Sequence, residues 1–147
     1  MRASTYRRAK NVQEIGQEMY RLADTYSTDL GELAGLPLDV FFDRVKRIPY
    51  RKEPGRFQFL SRPQWVLSGL SPVVACANKA IMVGAWAKQN RFPYRFVAVG
   101  TALTRPVNHV YTQIFLTGLW QNVDPTYNWH SPFHVRPWAR FEVLKRK

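Results

Sequence analysis

The run Ser71-Pro-Val-Val-Ala-Cys-Ala-Asn-Lys-Ala-Ile-Met-Val-Gly-Ala-Trp-Ala87 constrains this chain more than any other stretch. It is apolar and rich in Ala, so it reads as a helix buried on most of its sides, ending near Asn90. Such a helix needs other elements packed around it, and the rest of the sequence supplies them. Near its start sits Cys76, the only cysteine in the chain. A His then occurs on a strand-like segment, Val107-Asn-His-Val-Tyr111, and an Asp closes the next, Trp120-Gln-Asn-Val-Asp-Pro-Thr126. A thiol at a helix start, then a His, then an Asp is an order that suits a nucleophile, its base and the group that orients the base.

The spacing of the other elements predicts an α+β fold. Val12, Ile15, Met19 and Leu22 recur at three and four within Asn11 to Tyr26, an amphipathic helix. A second is expected over Pro37–Lys46, opened by its Pro and stopped before Pro49. Residues 50–63 carry Pro, Gly and charge and read as a surface loop. After the Cys76 helix, Tyr94–Gly100 reads as a strand, and 107–116 and 119–124 flank Thr117-Gly118 as a hairpin. Phe141–Leu144 is a candidate last strand, beyond a Pro- and aromatic-rich stretch at 127–140. Helices first and an antiparallel sheet after them is the α+β pattern. At 147 residues the chain is read as one domain, with a helical part at 10–48, a core at about 50–129 and a basic tail at 136–147.

The hairpin carries a geometric expectation. A two-residue turn at Thr117-Gly118 sets Leu116 opposite Leu119 and Tyr111 opposite Asp124. His109, two residues from Tyr111, then projects from the same face as Asp124, as a diagonal cross-strand neighbour. A three-residue turn would separate them onto opposite faces. Phe115 and Trp120 share that face and are expected to pack on the Cys76 helix and shield the site.

Each residue taken singly has a plainer reading. Cys76 could be a small buried hydrophobe, His109 a hydrogen-bonded sheet residue and Asp124 a turn-former ahead of Pro125. Jointly they point to chemistry. Free N–H groups at a helix start and an adjacent imidazole both favour a thiolate, and a carboxylate fixes the useful imidazole tautomer. Asp124 is one of only two carboxylates after Glu53, the other being Glu142. His130 and His134 flank Pro132, which argues against a helical metal-ligand pair, so no metal is expected. The triad chemistry calls for no cofactor.

These pieces resemble the transglutaminase-like superfamily of papain-fold cysteine enzymes over about Tyr50 to Trp129. The matching elements are the Cys76 helix, Arg91-Phe-Pro-Tyr-Arg-Phe-Val-Ala-Val-Gly100, His109-Val-Tyr111 and Gly118-Leu-Trp-Gln-Asn-Val-Asp-Pro-Thr126, of which Val123-Asp-Pro-Thr126 after a Trp is the most specific. The resemblance implies Cys76 as nucleophile, His109 as base and Asp124 as orienter. It implies acyl transfer or hydrolysis at amide bonds of a protein or peptide. The oxyanion would take the Cys76 N–H and one upstream donor, with Gln64 and Trp65 as candidates. Many relatives place an acidic residue beside the Cys, where this chain has Ala75 and Ala77. Some small members resemble phage proteins, which leaves a virion-associated setting open.

Charge adds a second expectation. The net charge is +12, with basic clusters at Arg2 to Lys10, Arg44 to Arg56 and Arg136 to Lys147. Such a surface suits an anionic partner, whether nucleic acid, a cell-wall polymer or an acidic protein. Two alternatives to a peptidase therefore stand: a non-enzymatic virion or structural protein that binds a polyanion, and a hydrolase of peptidoglycan cross-links. One cysteine excludes an intramolecular disulfide. The basic N-terminus has no apolar run behind it, as a secretory signal needs, and no stretch approaches the ~20 apolar residues of a membrane span. The expected location is cytoplasmic at synthesis.

Overall fold

The computed structural model describes residues 4–7, 11–52, 57–104, 107–127, 132–133 and 137–146. It is an α+β fold. Helix α1 spans Val12–Thr25, and the Asn11 side chain accepts the Gln13 N–H at 2.8 Å to cap it. The three- and four-residue spacing buries Ile15, Met19 and Leu22 on one side. A 3-10 segment, Ser27–Gly35, kinks at Gly31, whose φ of 54° suits a glycine. Helix α2 spans Leu38–Lys46 after Pro37 and buries Phe41, Phe42 and Val45.

The region read as a loop at 50–63 holds more order than expected. Strand β2, Phe57–Leu60, pairs antiparallel with β1, Ser4–Arg7, and Arg51 bridges to Val74. A short helix, α3, follows at Pro63–Leu67. The pairing of β1 with β2 joins segments some fifty residues apart, which no local pattern announces.

Helix α4 runs Cys76–Gln89, and every residue from Ala77 to Ala87 is buried. It begins later than the apolar run does. Pro72 and the β-branched pair Val73-Val74 favour extended backbone, and Val74 is engaged in the bridge to Arg51. Ala, Gly and Val lining α4 let neighbouring elements come close. At Gly84 an added Cβ would lie 2.7 Å from Tyr94 Cε2 and 3.0 Å from Phe96 Cζ.

The main sheet is antiparallel, with order β5-β4-β3-β6. Its strands are β3 (Tyr94–Gly100), β4 (His109–Leu116), β5 (Leu119–Val123) and β6 (Arg140–Val143). Thr117 and Gly118 both take positive φ, 50° and 86°, in a two-residue turn, and Leu116 pairs with Leu119 and Phe115 with Trp120. That is the expected register. Phe96, Ala98, Val110 and Ile114 enter the core with α4, and Thr112 Oγ1 donates to the Ala80 carbonyl at 2.8 Å.

Strand alternation then corrects one expectation. Since Val110, Thr112 and Ile114 face α4, Tyr111, Phe115 and the cross-strand Trp120 belong to the other face. Phe115 is 37% exposed and meets Trp120 edge-on at 5.3 Å. These rings do not cover the helix. The far face has its own small cluster of Val97, Val99 and Tyr111, with Trp138 and Val143 against it.

The C-terminal segment is also more than a basic tail. Leu144 is buried and donates its N–H to the Phe96 carbonyl at 2.9 Å, and Tyr20 Oη donates to the Leu144 carbonyl at 2.7 Å. Arg146 stacks on Tyr20 and Tyr94 at 4.3 and 4.7 Å and pairs with Asp24. No helix among the described residues is long and apolar enough to cross a membrane.

Candidate active site

Three element ends meet at the site. Cys76 is the first residue of α4, His109 the first of β4, and Asp124 directly follows β5. Asn78 fixes the start of α4: its Oδ1 accepts the Ala75 N–H at 3.1 Å and its Nδ2 donates to the Phe59 carbonyl at 3.2 Å. Ala75 itself, at the N-cap, brings no side-chain acceptor to the first-turn N–H groups. A helix start in this form has donors for a negative charge beside the sulfur. Cys76 is a free thiol and half-buried.

His109 and Asp124 are 4% and 0% exposed, and His109 Nε2 lies 2.7 Å from Asp124 Oδ2. A carboxylate accepts only, so Nε2–H is the donor. The second carboxylate oxygen accepts the Thr126 N–H at 3.2 Å, an Asx-type contact that holds Asp124 against its own turn. With Nε2 committed, Nδ1 is the nitrogen left for Cys76, which is near enough to help raise the basicity of the ring. The structure therefore brings Cys76, His109 and Asp124 together.

Burial alone would pull the His109 imidazole below its ordinary value. The hydrogen bond to Asp124 and the contact and charge of Cys76 outweigh it and push His109 up to about 9. Tyr111 is pushed up to about 12, first by burial and then by the Asp124 charge, so its phenol is neutral. Aromatic rings enclose the imidazole. Trp138 stacks on it at 5.3 Å, Tyr111 at 5.9 Å, and Tyr127 lies tilted at 5.0 Å. These rings, and not Phe115 and Trp120, keep water from the His–Asp pair. Sequence reasoning missed Tyr127 and Trp138, whose aromatic-rich segment was the signal. It also passed over Lys79, the one charged residue within the apolar run.

The oxyanion candidates are placed less simply. The Gln64 N–H donates to Asp29 Oδ2 at 3.1 Å, and the Trp65 N–H to the Arg62 carbonyl at 3.1 Å. Arg62 grips the same Asp29 through two bonds of 2.8 and 2.7 Å, so Asp29 caps α3 from a distance. Both backbone donors are thus engaged elsewhere, which leaves the exposed Gln64 amide and the half-buried Trp65 indole. Among the described residues no His, Cys, Asp and Glu gather as metal ligands, and His130 and His134 lie outside those residues.

No family model, curated protein or solved structure matches this chain. Function must be read from the site itself.

Proposed function

We propose that this chain is a cysteine-dependent acyl-transfer enzyme of the transglutaminase-like, papain-fold kind, acting on amide bonds through Cys76, His109 and Asp124. The observation that carries the reading is the buried 2.7 Å His109–Asp124 pair beside a thiol at a helix start. Each part has a role. The Cys76 thiolate attacks the amide carbonyl carbon, and the first-turn N–H groups of α4 face the developing oxyanion. His109, holding a proton at Nδ1, gives it to the nitrogen of the breaking C–N bond, and the amine leaves. Water or a second amine then attacks the thioester and loses its proton to His109. The acid or the new amide departs, and the thiolate is restored. Asp124 keeps Nε2–H engaged throughout, so the ring turns Nδ1 to the sulfur.

The substrate is a protein or peptide, with peptidoglycan cross-links as one form of it. An anionic partner is a separate part of the proposal. Arg44, Arg51 and Lys52 are exposed around the end of α2, beside Arg47, which pairs with Asp43 at 2.8 Å, and this surface suits a polyanion. If the site is idle, this surface supports the non-enzymatic virion or structural reading.

Iodoacetamide labelling tests the chemistry. Cys76 is expected to alkylate faster than glutathione at pH 6, and His109→Ala to slow it by about 100-fold, the low end for a positioned base. Equal rates in the two proteins would refute the reading. Turbidity loss on purified cell walls, against ammonia or amine release from soluble protein, then distinguishes the substrates.

A further inference from the structure

Three aromatic rings stack in series from the core to the surface beside the end of α4. Phe41, wholly buried, lies 6.1 Å from Trp86 at 29°, and Trp86 lies 5.8 Å from Phe92 at 13°. The Trp86 indole is pinned, its Nε1 donating to the Leu36 carbonyl at 3.0 Å. Phe92 ends the series and is 37% exposed, with one face on Trp86 and no second ring stacked on it among the described residues. It lines a surface cavity of about 500 Å³ together with Lys88, Arg91, Tyr94, Asp24 and Arg146.

The charges in this cavity do not cancel. Both Asp24 oxygens are engaged, Oδ1 by the Tyr94 hydroxyl at 2.7 Å and Oδ2 by Arg146, which closes that ion pair. Lys88 and Arg91 are exposed, and neither side chain has an ion-pair partner among the described residues. Two cations therefore stand free beside an exposed ring. Arg91 also holds its place at a cost. Its N–H donates to the Lys88 carbonyl at 3.2 Å and the Phe92 N–H to the Ala87 carbonyl at 2.9 Å, the pair of bonds that closes a helix through a left-handed residue. That residue is Arg91, with φ 62°, where glycine is the unstrained choice. A helix C-terminus favours basic residues through its dipole alone, but the dipole asks for no arginine at a left-handed position and no ring beside it.

We propose that the end of α4 is a binding site for single-stranded nucleic acid, in which a base stacks on Phe92 and successive phosphates meet Lys88 and Arg91. A base offers the flat π-face that an outward ring accepts, and phosphates supply the charge that two free cations lack. A duplex keeps its bases stacked inside and has no face to give to Phe92. The site is separate from the surface around Arg44, Arg51 and Lys52. It also lies at the opposite end of α4 from Cys76, so it stands whether or not that residue is a nucleophile.

Fluorescence anisotropy of a labelled oligothymidylate tests it, with heparin as an anion that has no aromatic face. Phe92→Leu keeps an apolar contact with Trp86 but removes the stacking face, and oligothymidylate affinity is expected to fall about tenfold with heparin affinity unchanged. Lys88→Gln with Arg91→Gly is expected to make the salt dependence of oligothymidylate binding shallower, by about 1.4 in the log–log slope for two phosphates. Arg91→Gly alone relieves the left-handed strain and should unfold at the same or a higher urea concentration, so its weaker binding is not the result of a looser fold. Unchanged oligothymidylate affinity in Phe92→Leu, an equal loss for heparin or for duplex DNA, or an unmoved salt slope would each overturn the proposal. Thymidine monophosphate competing as well as the strand, nucleotide for nucleotide, would also overturn it and leave a free nucleotide as the ligand.

Discussion

Replacing Asp124 with Asn separates charge from shape at the site. Asn is nearly the same size and can still accept the Thr126 N–H, yet it cannot stabilise an imidazolium by charge. In the wild-type protein His109 rises from 6.5 to about 9, although burial alone would lower it. At about 1.4 kcal/mol per pH unit, that rise is worth about 3 kcal/mol in favour of the imidazolium. Asp124 is the largest of the raising influences, so in Asp124→Asn burial should win and the imidazole should titrate below its ordinary value. Ring C–H chemical shifts followed by NMR from pH 5 to 10 measure this directly. The expected midpoints are near 9 and below 6.5. The stability consequence has a definite sign. A raised imidazole value stabilises the fold in full below pH 6.5, and that contribution is lost as pH rises through 9. Urea unfolding is best followed in a Cys76→Ser background, which leaves the His109–Asp124 pair as the source of the slope. There stability should fall as pH rises from 6.5 toward a folded value below the wild-type value of about 9, because the raising influence of Cys76 is gone, and adding Asp124→Asn should flatten the fall. A wild-type midpoint near 6.5, unmoved by Asp124→Asn, would refute the coupling of the ring to its carboxylate.

Two further outcomes concern the scaffold. Gly84→Ala gains about 1 kcal/mol of helix propensity but places a methyl 2.7 Å from the Tyr94 ring, so a net loss of about 1 kcal/mol in urea unfolding is expected; a more stable variant would show that β3 can move away. Arg146→Ala should cost about 1 kcal/mol through lost stacking on Tyr20 and Tyr94, while leaving the salt dependence of heparin binding almost unchanged; a markedly shallower salt slope would return Arg146 to the polyanion surface.

Local rules exposed the parts of the fold whose partners lie close in sequence. Thr117-Gly118 is a two-residue turn, so the β4–β5 register followed from it, and with the register came the His109–Asp124 pair. Helix α4 was legible because an apolar run without a polar stripe has no face to give to water. Alternation, by contrast, divides a strand into two faces without saying which face meets the helix. Phe115 and Trp120 were therefore assigned to the wrong side. Only the contact of Thr112 with Ala80, between elements over thirty residues apart, decides it. The β1–β2 pair and the return of Trp138 over His109 were hidden for the same reason. Both depend on chain reversals whose ends are distant in sequence.

The same long-range contacts that hid these features also explain how the site is kept in shape. None of its three residues lies inside an element, where ladder or helix bonding would settle its surroundings. Each sits at an end, and the distances among them depend on how the elements dock. The hairpin turn fixes His109 against Asp124, because a slip of one residue would send Asp124 to the other face. The Thr112–Ala80 bond and the packing of Val110 and Ile114 fix β4 against α4, and hence the imidazole against the thiol. Asn78 fixes the helix start against β2. A fold held this way makes the placement of Cys76 against His109 depend on the α4–β4 contact. The small residues of α4 serve that end, since Ala80 and Gly84 let the sheet approach closely enough for a side chain to reach helix backbone. The plain sequence of α4 is thus part of the candidate site, in the sense that bulkier residues there would hold Cys76 and His109 apart.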